Sequence, residues 1–503
     1  MTGEDVAGTP EESVVVLGAG IAGLCVALAL APTGRRLTLL ERDPPPPAGD
    51  PDAVFEHWRR RGASQLRHSH AFLARLRSLI ARDYPDLLAA LQEAGALDLT
   101  FAEGLPDALK AIYTPAAGDE ELAVLISRRS TLEQVIRTYV EAQPNVTIRS
   151  SVFADGLVGQ RGAGGAFVVS GFSLEGGPPV EADLVIDAGG RGSAANDWLR
   201  AQGVAPPEQS TPCGILYYTR FYALLPGQTE PPRGAHPTNG DLTYLKFGTF
   251  PADRGTFSVT LAVPDVEERL RAAVVRPKIY DAICVRLPGV APWTDPARSA
   301  PVSKVHAMGE LESRWREMAP GGRPLTLNYF CVGDSLVRTN PLFGRGCSFA
   351  AVEAHLLRDV LRETRDPTRR ARIYSERVRR TLSPFYRSME TQDRDAVTRA
   401  RRLIGDGAPA PKRIERLAKR FFEDGVAIAL REDLVLLRAA MRAFHMLEPP
   451  QAWLQRPANL ARIIRVWARG KTANAHLYAA APGPRRDELL PALGLPLEPR
   501  LTA

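Results

Sequence analysis

Three glycines, Gly18, Gly20 and Gly23, separate an apolar run from an alanine-rich one in "VVVLGAGIAGLCVALAL", residues 14 to 30. At that spacing a strand-to-helix turn can hold a pyrophosphate: Gly18 would permit the tight turn, Gly20 would let the backbone approach phosphates, and Gly23 would let the helix pack on the strand. The helix start also offers unpaired N–H groups and the positive end of its dipole. Glu41 closes the next apolar run, "LTLLE". It stands about 20 residues beyond the first glycine, where a carboxylate accepts from both ribose hydroxyls and repels a 2′-phosphate. The plainer alternative is a nucleotide-free turn with a solvated Glu41.

A second stretch chooses among dinucleotides. In "CVGDSLVRTNPLFGRGCSFAAVEAHLL", residues 331 to 357, Gly-Asp ends a strand and Pro-x-x-Gly-x-Gly leads into a helix. Asp334 can accept a hydrogen bond from a polyol chain, and Gly344 and Gly346 let backbone pass beside a flat ring. A helix starting near Gly346 aims its positive end at that ring, which would stabilise the negative charge of a reduced flavin. NAD has no ribityl chain, so FAD is the expected cofactor.

The elements that must position these residues follow from periodicity. A strand over 13–17, a helix over 20–31 and a strand over 37–41 make a βαβ unit. "PPPPAGD" (44–50) is an irregular loop. Amphipathic helices are expected near 65–81 and 85–95, a strand at 123–127, and a helix at 130–142 with a Ser/Thr N-cap. "VTIRSSV" and "AFVVSGFSLE" read as a β-meander, and "ADLVIDAGGRGS" (182–193) holds a buried strand. Strands alternating with turns between about 212 and 262 suggest a separate antiparallel sheet. "NYFCVGDS" (328–335) returns to the buried-strand pattern, residues 348–363 form a helix, and beyond about 366 the chain is helical. The predicted fold is α/β: a Rossmann-like FAD-binding domain (1–205, completed by 315–365), an inserted, mainly antiparallel substrate sheet (206–314), and a helical C-terminal region (366–503).

Composition narrows the class. Of 503 residues, 45% are hydrophobic and 24% charged, and the net charge of +7 is small beside 64 basic and 57 acidic residues. The basic residues come singly or in short clusters such as "HWRRRG" (57–62), which argues against a nucleic-acid partner. The five cysteines show no Cys-x-x-Cys pair, so neither zinc nor a disulfide framework is expected, and most should be buried fillers. His68 and His70, two residues apart, would face opposite ways on a strand, which disfavours a metal site. With no long uncharged apolar run the expectation is a soluble, cytoplasmic protein. "LARIIRVWARGK" (460–471) is amphipathic and basic, the pattern of a packed helix with a solvated face, and membrane contact is not expected.

Together these residues resemble a known family, the FAD-dependent monooxygenases of the p-hydroxybenzoate hydroxylase type. Within it the chain looks most like the branch containing the flavin-dependent epoxidases of polyether biosynthesis. The resemblance rests on the Gly18–Gly23 motif, Glu41-Arg42, "RRGASQLRHSHAFLARLRSLIARDYPDLLAALQEAGA" (60–96), "SRRSTLE" (127–133), "ADLVIDAGGRGS" and the Gly333-Asp334 segment, and spans roughly 13–360. It implies that Gly18, Gly20 and Gly23, with Ile21 and Ala22 between them, hold the pyrophosphate, and that Glu41 holds the ribose. Arg42 would lie beside adenine or phosphates, Arg129 at the phosphates or ribityl chain, and Val152 against adenine through its backbone. Asp334 would bind the ribityl chain or pyrophosphate, and Pro341 to Gly346 would line the isoalloxazine. Gln65, Arg67, His68 and His70 would run alongside the flavin, with His68 or His70 as candidates for proton delivery. "YYTRFYALL" (217–225) with Phe247 would wall the substrate pocket, an aromatic pattern that plain core also produces.

The resemblance also implies the chemistry: one oxygen atom of O2 inserted into a small lipophilic substrate through a flavin C4a-hydroperoxide, by epoxidation or hydroxylation. One departure bears on electron supply. The family shows Asp-Gly after the strand "ADLVI", whereas here Ala188-Gly189-Gly190 puts glycine where the acid stands, leaving either NAD(P)H or a separate flavin reductase as the donor. A halogenase, an isoprenoid double-bond reductase and a non-catalytic FAD-carrying protein are the alternatives; the halogenase's Trp-x-Trp pattern does not occur here.

Overall fold

The computed structural model describes residues 12–162, 164–232 and 236–497, so the outermost ends of the expected domains lie outside the described residues. The chain divides into two compact units, each assembled from separated segments.

The first unit runs to Leu66 and adds Ser130–Thr211 and Glu312–Ser383. Its centre is a five-stranded parallel sheet in the order Tyr329–Cys331, Leu184–Asp187, Ser13–Leu17, Arg36–Glu41, Val146–Ser150. "VVV", "LTLLE", "LVID" and "YFC" are continuous apolar runs because helices cover both faces of such a sheet. The helix Ile21–Leu30 is buried at every residue, and the helix Gly346–Glu363 packs on it. An apolar helix with no polar face has to be enclosed in this way.

Two expectations are corrected in this unit. "VTIRSSV" forms the edge strand Val146–Ser150 of the parallel sheet, not part of a meander. The meander consists of Ala154–Arg161, Phe167–Leu174 and Gly177–Glu181; the glycines of "ADGLVGQR" hid its first strand. The helix expected from Ser130 begins at Arg129, and Ser130 is fully buried, its hydroxyl without a hydrogen-bond partner, so it is no N-cap.

The second unit gathers Arg67–Arg129, Pro212–Leu311 and the chain from Pro384 onward. Its antiparallel sheet has the order Asn239–Asp241, Lys246–Pro251, Thr256–Pro264, Ile215–Leu224, Ser299–Pro301, with His306–Met308 also paired to Ile215–Leu224. Alternation gives the sheet two unlike faces. Tyr218, Tyr222, Phe247, Phe257 and Trp293 belong to one apolar core with Leu270, Tyr280 and Ile283 of the helices Glu268–Val274 and Pro277–Arg286. Tyr222 stacks on Phe257 at 5.3 Å, and Phe257 meets Trp293 edge-on at 5.1 Å. Tyr218, Tyr222 and Phe247 are therefore core rather than pocket wall. Thr219 points from the other face, opposite Thr260 and His306 on the neighbouring strands.

The 38-residue helix Pro367–Ile404 contains Pro384, the residue at which the division between units falls. The later helices enclose their own core of Ile428, Leu436, Ala440, Trp453, Ile463 and Val466. Among the described residues no helix is long and apolar enough to cross a membrane, and all five cysteines are buried thiols.

Candidate functional site

The glycine turn is shaped by what each missing side chain would strike. Gly18 has a φ of +93°, and a Cβ there would lie 2.7 Å from the Ala188 carbonyl oxygen. A Cβ on Gly23 would sit 1.9 Å from the Gly18 carbonyl oxygen, so only glycine lets the helix seat on the turn. Gly20 differs: it is the N-cap of the helix, and the one atom near its absent Cβ is Arg60 Nη2, at 3.6 Å. No side chain caps this N-terminus and no acid stands in its first turn. Its N–H groups and dipole are thus left to an outside anion, and the cradle fits a pyrophosphate.

Glu41 is 3% exposed at the end of its strand. Its Oε2 accepts from the Ala19 N–H at 2.8 Å and from Arg60 Nη2 at 3.0 Å, and its Oε1 accepts from the Asp43 N–H at 2.9 Å. Arg60 is the hub of this cluster. Its guanidinium also donates to Asp43 at 3.3 Å and Glu133 at 3.2 Å, and it lies over the Trp58 ring at 4.8 Å. Arg60 opens "RRGASQ" and Glu133 closes "SRRSTLE", but nothing in either stretch marks them as partners. The buried carboxylates come from two stretches, Glu41 with Asp43 and Glu133, that only folding brings to Arg60.

The other expected residues of this unit gather nearby. Arg42 lies beside Gly62 and Gly192, whose absent Cβ atoms would be 3.2 Å from its Nε and 3.4 Å from its Nη2. The Val152 N–H donates to the Glu41 carbonyl at 3.0 Å, so only its carbonyl is left for a ligand. Gly333, with φ +73°, brings the Gly-Asp segment onto the glycine helix: a Cβ there would lie 2.7 Å from the Ala22 methyl. Its N–H donates to the fully buried Glu353, whose carboxyl burial holds well above the usual range. Asp334 is half-buried, and its carbonyl accepts from Arg314 at 2.9 Å. Pro341–Phe343 form a short 3₁₀ turn ended by Gly344 at φ +63°; Gly346 opens the next helix with nothing within 4 Å of its absent Cβ.

Asp187 is the carboxylate that meets the loop Ala188-Gly189-Gly190. It is fully buried at its strand end, where it accepts from the Gly189 N–H and Ser193 Oγ at 2.9 Å and from Tyr329 OH at 3.3 Å. Burial raises its pKa, against the lowering effect of those donors. Through these bonds it organises the loop.

Arg129, His68 and His70 fall in the second unit and meet one another there. His70 Nδ1 donates to the His68 carbonyl at 2.8 Å, which leaves Nε2 to accept from Arg129 Nη1 at 3.3 Å. Burial, then the Arg129 charge, pushes the His70 pKa down to about 3. His68 Nδ1 lies 3.0 Å from Thr219 Oγ1, the first of a chain of hydroxyls: Thr219 to Thr260, Thr260 to Ser69 and Ser69 to Ser258, each 2.7 Å. Burial and the neighbouring His306 push His68 down to about 4, so it is neutral at ordinary pH. Gln65 and Arg67 belong to the 3₁₀ turn Ser64–Arg67 that precedes this segment.

Comparison with known proteins agrees with the first unit's geometry. Residues 13–207 match the family DAO, FAD dependent oxidoreductase. Protein Rv3254 of Mycobacterium tuberculosis is 28% identical over 409 residues, 77% of this chain and 80% of that protein. Among solved structures, PqsL of Pseudomonas aeruginosa, described as a probable FAD-dependent monooxygenase, aligns with a TM-score of 0.51 at 15% identity, covering 78% of this chain and 98% of that one. The Diels-Alderase PyrE3 of pyrroindomycin biosynthesis aligns with a TM-score of 0.55 at 15% identity, covering 87% and 81%. Those two likenesses are of fold. Residues 13–207 are thus similar to FAD-dependent oxidoreductases, and the Glu41 cradle lies within that span.

Proposed function

We propose that this protein is an FAD-dependent monooxygenase that places one oxygen atom of O2 into a small lipophilic substrate, by epoxidation or hydroxylation. The observation that carries the reading is the Gly333–Ala22 approach, which joins the ribityl-type Gly-Asp segment to the pyrophosphate-type glycine turn. When bound, FAD supplies the electron transfer and oxygen activation.

This chain's residues hold and shield. Gly20 and the uncapped helix start receive the pyrophosphate; Glu41 receives the ribose, with Arg60 and Arg42 as adjoining cations; Asp334 takes the polyol chain, and the backbone of Pro341–Gly346 borders the ring. In the second unit, His68 and Ser69 lie on the face of the sheet bearing Thr219, Ser258 and Thr260. Neutral His68 takes or returns a proton at Nδ1 through Thr219 Oγ1, and the further hydroxyls pass it on by reorienting. Arg129 holds His70 and through it the backbone of this segment. Electrons come from NAD(P)H or a separate reductase.

The test is direct. Purified protein should be yellow or bind added FAD, and reduced holoprotein given labelled O2 and lipophilic polyenes, terpenoids or aromatic polyketides should yield product carrying one labelled atom. Turnover without oxygen would sink the reading in favour of a reductase, chloride-dependent product in favour of a halogenase, and a cyclisation indifferent to flavin redox state in favour of the use PyrE3 makes of this fold.

A further inference from the structure

We propose that the helix Arg413–Arg420, with its continuation through Phe422, is a docking surface for an anionic lipid bilayer. Residues 412–420 are all exposed, so no face of this helix is covered by the molecule. Its apolar side chains are nevertheless large: Ile414 is 74% exposed, Leu417 55% and Phe422 51%. At 3.6 residues per turn Leu417, Ile414 and Ala418 fall on one stripe about 100° wide, and exposed Phe422 follows in the π-helical turn Phe421–Val426. Helices that pack within a protein bury such a stripe; this one presents it to water.

Charge names the occupant. Arg413 and Arg420 lie along one border of the stripe and Lys419 beyond the other, while Lys412 and Arg416 fall on the opposite face. Of the acids, Glu415 is held by Arg402 at 3.2 Å and Glu423 lies 3.7 Å from Lys419. An apolar stripe between basic flanks is the arrangement of a helix that lies in the headgroup plane, where the stripe enters the acyl boundary and cations meet anionic lipid. A second copy of the chain would set these cations against their like. The helix is also firmly based: Phe421 meets Trp467 edge-on at 5.4 Å, and Gly425 seats against Trp467 and Ile463 of the helix Pro457–Ala468. That second helix leaves Leu460 39% and Ile464 47% exposed. The membrane contact thus falls on a segment that the pattern at 460–471 does not single out. It is independent of the reaction proposed above.

The experiment is vesicle flotation of the full-length holoprotein with phosphatidylcholine alone and with equimolar phosphatidylglycerol. Binding is expected only to the anionic vesicles and should fall steeply as salt is raised. The double variant Ile414→Ser, Leu417→Ser should weaken it at least about tenfold. Arg413→Gln and Arg420→Gln should each cost about fivefold. These exposed substitutions leave the fold alone, which unchanged circular dichroism will verify. Absence from anionic vesicles, equal binding by the double variant, or self-association abolished by that variant without vesicle binding each overturns the proposal. Flotation reads the same whether or not the protein carries flavin, so failure of the enzymatic reading is scored separately.

Discussion

Gly333 approaches Ala22 so closely that one added methyl would lie 2.7 Å from the alanine Cβ. Two segments remote in sequence are thereby fixed against each other by the absence of one carbon. The approach also sets Asp334 beside the glycine turn, so the fit of a whole dinucleotide depends on it.

Replacing that glycine should be costly for two reasons. Its φ of +73° strains any L side chain, and the new methyl collides with a packed neighbour. Gly333→Ala should destabilise the protein by about 2–4 kcal/mol and release FAD. A urea melt and the flavin absorbance of the purified variant read the two effects.

Glu41 and Arg60 should separate binding from stability. Glu41→Gln keeps the shape but removes a charged acceptor, and should weaken FAD affinity by about 10- to 100-fold, hydrogen bonds to charged groups being worth about 1.5–3 kcal/mol. Arg60→Met strands Glu41, Asp43 and Glu133 without their shared cation. Breaking buried pairs this way costs about 3–5 kcal/mol, so the variant should melt early even with excess FAD. Calorimetric titration and thermal melts distinguish the two.

Asp187 gives a pH signature. Its folded-state pKa is raised, so the folded protein binds its proton more tightly than the unfolded chain does. Stability should therefore fall as pH rises from the ordinary carboxylate range through that raised value. Asp187→Asn retains an acceptor for the Gly189 N–H and should flatten this fall, whereas Asp187→Ala strands the Gly189 and Ser193 donors at about 1–3 kcal/mol. Urea midpoints across the acidic range are the measurement.

His68 acts in the opposite sense. Its folded pKa of about 4 lies below the ordinary 6.5, so its contribution is complete above 6.5 and is lost as pH falls toward 4. The loss can reach about 3 kcal/mol for so buried a ring, and His68→Gln should remove it. If the hydroxyl chain also carries protons during turnover, Thr219→Val should lower kcat and shift its pH profile while KM stays within about twofold; an unchanged profile would leave the chain a structural tie alone.

What the sequence reveals and what it hides follow from distance along the chain. The glycine turn, Glu41 and the helix after Gly346 are local patterns, each set by residues within a few turns of one another, and each stands where periodicity and spacing put it. The role of Arg60 is illegible because its partners, Glu41 with Asp43 and Glu133, come from two stretches remote from it. The strand Ala154–Arg161 is hidden by its glycines. Tyr218, Tyr222 and Phe247 show the limit of composition: an aromatic strand looks alike whether it faces a ligand or a helix, and only the core around Trp293 decides. The helix 413–420 is the reverse case, since its amphipathic pattern gives no hint that nothing covers it.

The scattered make-up of the parallel sheet governs how the molecule is born. Ser13–Leu17 occupies the middle of that sheet, yet its neighbour Leu184–Asp187 and the edge Tyr329–Cys331 leave the ribosome much later. At about 5–20 residues per second, the first strand waits from about 15 s to a minute for the last. Until residue 187 emerges the strand Ser13–Leu17 keeps one apolar edge open, and after that Leu184–Asp187 keeps one open until residue 331 does.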